Sequence, residues 1–328
     1  MKIRNLLTVV AMFSVLLFSV GTAQAVLGVA DDVPGTDNVI PFFCEDDGLD
    51  AVVADGSMNT LWAIAETTGV PALASVFVFN VKSEFVIDDR ASWTPFDILA
   101  NDCKTLIAGL SPVDRAKLQA PVATNGTAKT IFAGYIIYFN DVVNDQLIPW
   151  EYLVDMPNGF AAGFNGFAVE GGVDIPVGFP QLTPSDLTEA GVPVSASALF
   201  PRFFFLNNNS GTYNWWIILK GGPITTTAAT MHRLNGSICD EDENCISVLI
   251  NVPNNLNILD VRPLLPASIF TGSGGGFGRF ATQSGAALGF LNPTTGAIVT
   301  TLGWSYQRAS TGAVISNWDV IHPMHRLY

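Results

Sequence analysis

Trp215–Lys220 reads WWIILK, five apolar residues closed by a lysine and bounded by turn formers on both sides. The run is too short for a buried helix and is rich in aromatic and β-branched residues, which fits a strand packed in a core. Just upstream, Leu199–Asn207 (LFPRFFFLN) has the same character, and Asn208-Asn209-Ser210-Gly211 between them reads as a hairpin turn. The same pattern of short apolar runs between Gly, Pro, Asn and Ser clusters fills most of the chain. Expected strands cover Leu61–Ala65, Ser75–Asn80, Glu84–Ile87, Thr130–Asn140, Trp150–Asp155, Asn165–Glu170, Tyr213–Lys220, Ala229–Arg233, Ser247–Val252, Ala297–Tyr306 and Ala313–Ile321. Helix signals are confined to Asp97–Leu110 and Ser111–Ala120, the second opened by Ser111 with Pro112 at the first helical position. The chain is therefore expected to be all-β with few short helices.

WWIILK also has an echo. LWAIAE (Leu61–Glu66) places Trp62 154 positions before Trp216, and Trp150 lies 154 before Trp304, with Tyr152 and Tyr306 at the same offset. Pro95 and Pro253 are 158 apart and Asn165 and Asn317 are 152 apart. WTPFDILAND and PWEYLVD thus answer to NVPNNLNILDV and GWSYQRA in the same order. The spacing predicts two tandem β-sandwich domains, jelly-roll or immunoglobulin-like, related by internal duplication. Their expected bounds are 38–172 and 199–328, joined by a proline-rich linker over 173–198 and preceded by a segment over 26–37.

Residues 1–25 have the layout of a secretory signal peptide: Lys2 and Arg4, an apolar run, then Ala23-Gln24-Ala25. Net charge is −14 for the whole chain and, without Lys2 and Arg4, −14 − 2 = −16. Charged residues make up 13 % and hydrophobic ones 49 %, the reverse of a disordered composition. The lack of a basic cluster argues against nucleic acid, and no later segment reads as a transmembrane span. The expectation is an exported protein, periplasmic, extracellular or at the cell surface.

Four cysteines in an exported chain should pair. Three connectivities exist; the short separation of Cys239 and Cys245 favours joining them, which leaves Cys44 with Cys103. Between the first pair lies CDEDENC, in which Asp240, Asp242 and Asn244 alternate like the start of a calcium loop. The glycine such a loop needs next is Cys245, and the closing glutamate is Asn251. Calcium is thus one reading, as the only cofactor suggested, and an acidic turn at a hairpin end is the other.

No nucleophile elbow or phosphate-binding loop is present. Gly272–Gly278 reads as a surface loop or bulge, and Glu151, Asp155 and Glu170 are the only carboxylates that suggest glycosidase work. Repeated tryptophans read as core, while Trp93, Trp318, Tyr213 and Trp215 are candidate stacking platforms for a glycan. DDVPGTDNVIPF, VDMPNGFAAGFNGFAVEGG, ALFPRFFF and CDEDENC followed by NVPNNLNILDV together resemble a group of uncharacterised secreted proteins of Gram-negative bacteria. That resemblance implies export and an all-β fold, and no activity. The functional expectation is a non-catalytic structural or adhesive surface protein, its partner a surface component, a glycan or a second copy of itself. A glycan-binding module pair is the alternative and a secreted glycan-active enzyme the third.

Overall fold

The computed structural model describes residues 37–45, 58–124, 127–141, 146–155, 160–164, 167–169, 188–189, 192–193, 201–205, 213–220, 233–265, 274–280, 301–309 and 318–323. The expected signal peptide and most of the expected linker lie outside these residues. Strands dominate. The first ten are β1 (Asp37–Cys44), β2 (Asn59–Glu66), β3 (Ala72–Asn80), β4 (Phe85–Trp93), β5 (Ile98–Asp102), β6 (Gln119–Thr124), β7 (Thr127–Asn140), β8 (Leu147–Asp155), β9 (Phe160–Phe164) and β10 (Phe167–Val169). A small ladder of β11 (Thr188–Glu189) and β12 (Val192–Pro193) follows. Then come β13 (Arg202–Phe205), β14 (Tyr213–Lys220), β15 (Arg233–Asp240), β16 (Cys245–Asn251), β17 (Leu256–Asp260), β18 (Gly274–Arg279), β19 (Thr301–Ala309) and β20 (Trp318–Pro323).

Every described ladder is antiparallel. In the first part of the chain β4-β3-β7-β1 lie side by side, as do β5-β2-β8-β9, and among the described residues the two groups join as one ladder only where Cys44 lies opposite Asn59. In the second part the orders are β16-β15-β18-β13 and β17-β14-β19-β20. Taken in chain order, β13 to β20 thus pair as β1, β2, β3, β4, β5, β7, β8 and β9 do. Registers agree as well. Ala63 faces Trp150 as Ile217 faces Trp304, and Ala65 faces Ile98 as Leu219 faces Leu256. These are the offsets of 154 and 158 read from the tryptophans and prolines. The offset of 152 does not hold: Phe160 lies opposite Asp155 as Trp318 lies opposite Ala309, so Trp318 answers to Phe160.

Alternate residues of the strands feed different cores. Ile40, Phe42, Val76, Val78, Phe132 and Ile136 pack with Trp62 and Ile64 of β2. The opposite faces of the same three strands, including Val39, Phe43, Phe79, Tyr135 and Ile137, pack with Trp215, Ile217, Leu219, Leu256 and Tyr306. The other face of β14, Trp216 and Ile218, packs with Phe203, Leu234, Ile238, Ile250 and Phe280. Each fully buried tryptophan contributes about 2–3 kcal/mol by removal of apolar surface from water. β1 is buried on both faces over its whole length, so DNVIPFFC shows no alternation and is not legible as a strand from the sequence.

Three local expectations are corrected. Leu199–Asn207 and Tyr213–Lys220 are not hairpin neighbours: β13 pairs with β18, whereas β14 pairs with β17 and β19. The turn residues between them lie outside the described residues. Of the stretch Gly272–Gly278, the described part is not a surface loop, because Gly274–Arg279 forms β18 between β13 and β15. Its glycines are required where neighbouring groups fill the side-chain position; a Cβ on Gly276 would lie 2.2 Å from the Cys239 carbonyl and 2.4 Å from the Phe203 ring. Finally, Asp97–Leu110 is helical only over Cys103–Gly109. Ile98–Asp102 joins the ladder on β2, and Asp102 caps the helix by accepting from the Thr105 N–H. Ser111 caps Pro112–Lys117 in the same way.

Candidate functional site

The acidic loop is the turn between β15 and β16. The Asp240 N–H donates to the Asn244 carbonyl at 3.1 Å, and the Glu243 N–H donates back to the Asp240 carbonyl at 3.2 Å. Asp240 Oδ1 accepts from the N–H groups of Asp242 and Asn244, and Oδ2 accepts from the Asn244 side chain. These bonds, the Asn244 side chain first, hold the Asp240 carboxyl below its usual range. Glu243 sits at φ 63°, the left-handed residue that closes the turn.

The turn between β3 and β4 has the same wiring with different side chains. Asn80 Oδ1 accepts from the N–H groups of Lys82 and Glu84, the Asn80 and Glu84 backbones bond to each other, and Ser83 sits at φ 60°. FNVKSEF (Phe79–Phe85) is therefore the counterpart of CDEDENC. Where Cys239 and Cys245 face each other and form a disulfide, Phe79 and Phe85 face each other with ring centroids 6.2 Å apart. The other disulfide joins Cys44 to Cys103, tying the end of β1 to the helix start after β5. Among the described residues, no group of three or more His, Cys, Asp or Glu is placed to hold a metal. Asp240 is occupied by the turn itself.

Further matched pairs stitch the sheets together. Thr60 Oγ1 accepts from the Phe43 N–H and donates to the Phe43 carbonyl. Asn214, at the same place in β14, accepts from the Phe204 N–H and donates to the Phe204 carbonyl, both at 2.7 Å. Gly134 and Gly276 both leave room for a phenylalanine ring, that of Phe42 and of Phe203. Trp62 Nε1 donates to the Tyr138 hydroxyl, whose burial lifts it to about 12. The counterpart of Tyr138 is Phe280, which stacks edge-on against Trp216 but has no hydroxyl; Trp216 Nε1 donates instead to the Arg202 carbonyl.

One match is broken. Ser305 Oγ accepts from the Arg202 N–H at 2.7 Å. The corresponding residues are Glu151 and Pro41, and proline has no N–H. Glu151 is buried, neither carboxylate oxygen has a hydrogen-bond partner among the described residues, and burial raises its carboxyl well above the usual range. Asp155 is buried further along β8 and Glu170 lies outside the described residues.

Of the candidate platforms, Trp93 and Trp215 are buried and offer no ring face to solvent. Trp93 Nε1 donates to the Ile64 carbonyl and Trp215 Nε1 to the Ala123 carbonyl, each burying the indole with its polar atom satisfied. Tyr213 and Trp318 are placed only as strand positions in β14 and β20. Among the described residues, the exposed aromatics are two that were not among the candidate platforms. Phe96 is 74 % exposed at φ 58°, and Tyr152 is 48 % exposed. Phe96 is held by Glu66, which accepts from the N–H groups of Phe96, Thr68 and Gly69 and from the Thr68 hydroxyl. Burial pushes the Glu66 carboxyl up, and these bonds outweigh it, bringing it to about 2.

A groove of about 250 Å³ runs between β6 and β17, lined by Val81, Pro121, Val122, Leu256 and Ile258, and no titratable side chain lines it. No helix among the described residues is long and apolar enough to cross a membrane. No protein-family model, curated protein or solved structure matches the chain.

Proposed function

We propose that this is an exported, non-catalytic structural or adhesive protein, built from two β-sandwiches with eight matched strands each that arose by duplication and stand face to face. The carrying observation is that two matched pairs of polar side chains hold backbone: Thr60 and Asn214, Asn80 and Asp240. Supporting it, the apolar core continues from one unit into the next, and both disulfides suit an oxidising compartment. The partner class is a surface component or a second copy of the chain, and the setting is the surface or exterior of a Gram-negative cell. Fractionation with protease treatment of intact cells tests this. We expect the chain in the periplasmic, surface or medium fraction with its cysteines oxidised; a cytoplasmic, reduced protein, or turnover of a glycan by the purified chain, overturns it.

A glycan-binding role is the second reading, favoured by the exposure of Phe96 and Tyr152. It requires that polysaccharides alter the protein's intrinsic fluorescence, and silence across a broad panel removes it.

A further inference from the structure

Of the two disulfides, one is sealed and the other faces solvent. Cys44 and Cys103 are both 0 % exposed and pack with Ile40, Trp62 and Ile107 in the core. Cys239 is 3 % exposed, but its partner Cys245 is exposed, as are Glu241, Asp242, Glu243 and Asn244 before it. External thiols open an exposed disulfide, whereas one they cannot reach must wait for the fold to open.

The Cys239–Cys245 bond is also one that its hairpin does not need. The turn is closed by the Asp240 side chain and by backbone bonds among Asp240, Glu243 and Asn244. The matched turn, FNVKSEF, has the same wiring with Phe79 and Phe85 where the cysteines stand, so this turn forms without a covalent link. Behind it, Leu234, Ile238 and Ile250 anchor β15 and β16 in the core, and the ladder continues to Arg233 opposite Asn251. The bond joins residues 6 apart, against 59 for Cys44 and Cys103, so it constrains the unfolded chain less. Breaking it therefore leaves both strands in place.

We propose that Cys239–Cys245 is a thiol–disulfide exchange site, opened by an external dithiol while the fold stays intact. A thiolate of the dithiol attacks Cys245 Sγ and forms a new S–S bond to it; the bond to Cys239 breaks, and Cys239 leaves as a thiolate and takes a proton from water. The dithiol's second thiolate then attacks its own sulfur in the mixed disulfide, and Cys245 leaves and is protonated in turn. Two electrons pass from the dithiol, which becomes a disulfide, to the cysteine pair, which becomes two thiols. The carboxylates of Glu241, Asp242 and Glu243 surround the approach, so the site takes a neutral or cationic dithiol and repels an anionic one.

The test treats the folded, oxidised chain with dithiothreitol in native buffer, blocks free thiols with iodoacetamide and maps them by mass spectrometry. Cys239 and Cys245 should be labelled together while circular dichroism is unchanged. Cys44 and Cys103 should react at least roughly a thousandfold more slowly, because they wait for unfolding. Equal rates for the two pairs, no labelling of Cys239 and Cys245 before denaturant is added, or labelling that coincides with loss of the dichroism signal overturns the proposal. Charge selection is read with two monothiols, each normalised to its rate on a neutral small-molecule disulfide. Cationic cysteamine should open the bond at least roughly threefold faster than anionic mercaptoethanesulfonate, and Glu241→Gln with Glu243→Gln should shrink that ratio. A ratio near one, or one the double variant leaves unchanged, overturns the charge selection. The adhesive reading stands apart from every one of these outcomes, since it needs the cysteines oxidised but not exchangeable.

Discussion

Glu151 stands at the position matched by Ser305, which holds a backbone N–H, and its environment sets a pH dependence. Its folded-state carboxyl is raised, so its contribution is complete below the unfolded value near 4.5. Above that pH the unfolded chain ionises first, and stability falls by about 1.4 kcal/mol per pH unit until the folded carboxyl also ionises. Glu151→Gln should therefore melt like the parent near about pH 4 and at a higher temperature near about pH 8. An equal difference at both values would mean that Glu151 is charged in the fold. The acidic turn gives a second test at this scale. Asp240 already accepts three hydrogen bonds within the turn, so we expect calcium, against chelator, to leave the melting temperature unchanged. A clear rise with calcium would show that Asp242 and its neighbours form a site.

Among the elements, β7 and β18 carry the most restrictive residues. A Cβ on Gly134 would lie 2.2 Å from the Phe79 carbonyl, as one on Gly276 would from that of Cys239. Gly134→Ala and Gly276→Ala should each destabilise by about 1–3 kcal/mol in denaturant titrations. Gly109→Ala, where an added Cβ meets nothing within 4 Å, should be neutral or slightly stabilising. Unchanged midpoints for both strand variants would mean that these strands do not lie as described. The β15–β16 hairpin should keep its turn but lose about 2 kcal/mol when Cys239 and Cys245 are both replaced by alanine. What was legible at this scale follows from the same physics. β14 could be read residue for residue because Trp215–Leu219 is an unbroken apolar run. β18 could not, since its glycines resemble a loop until the rings of Phe203 and Phe280 are seen to occupy their side-chain space. FNVKSEF and CDEDENC share a turn, not side chains, and only the Asx residue at the first turn position was visible to connect them.

At the scale of the molecule, the spacing of Trp62, Trp150, Trp216 and Trp304 was informative because the strands that carry them pair in matching registers, Ala63 facing Trp150 as Ile217 faces Trp304. The environment of each matched position was not legible. Leu61 is about a third exposed while Trp215 is sealed, although they hold the same register position, because among the described residues a sheet lies over the second alone. For that reason Trp215, an exposed platform by sequence, is a core residue. The shared core of Phe43, Tyr135, Trp215 and Leu256 also means that the two units should not unfold separately. Backbone hydrogen exchange followed by mass spectrometry tests this most directly. Segments 131–139 and 215–219 should show the same protection and lose it together as denaturant is added. Exchange of 215–219 while 131–139 stays protected would contradict the account, because it would mean that the second unit opens without disturbing the sheet it is said to cover.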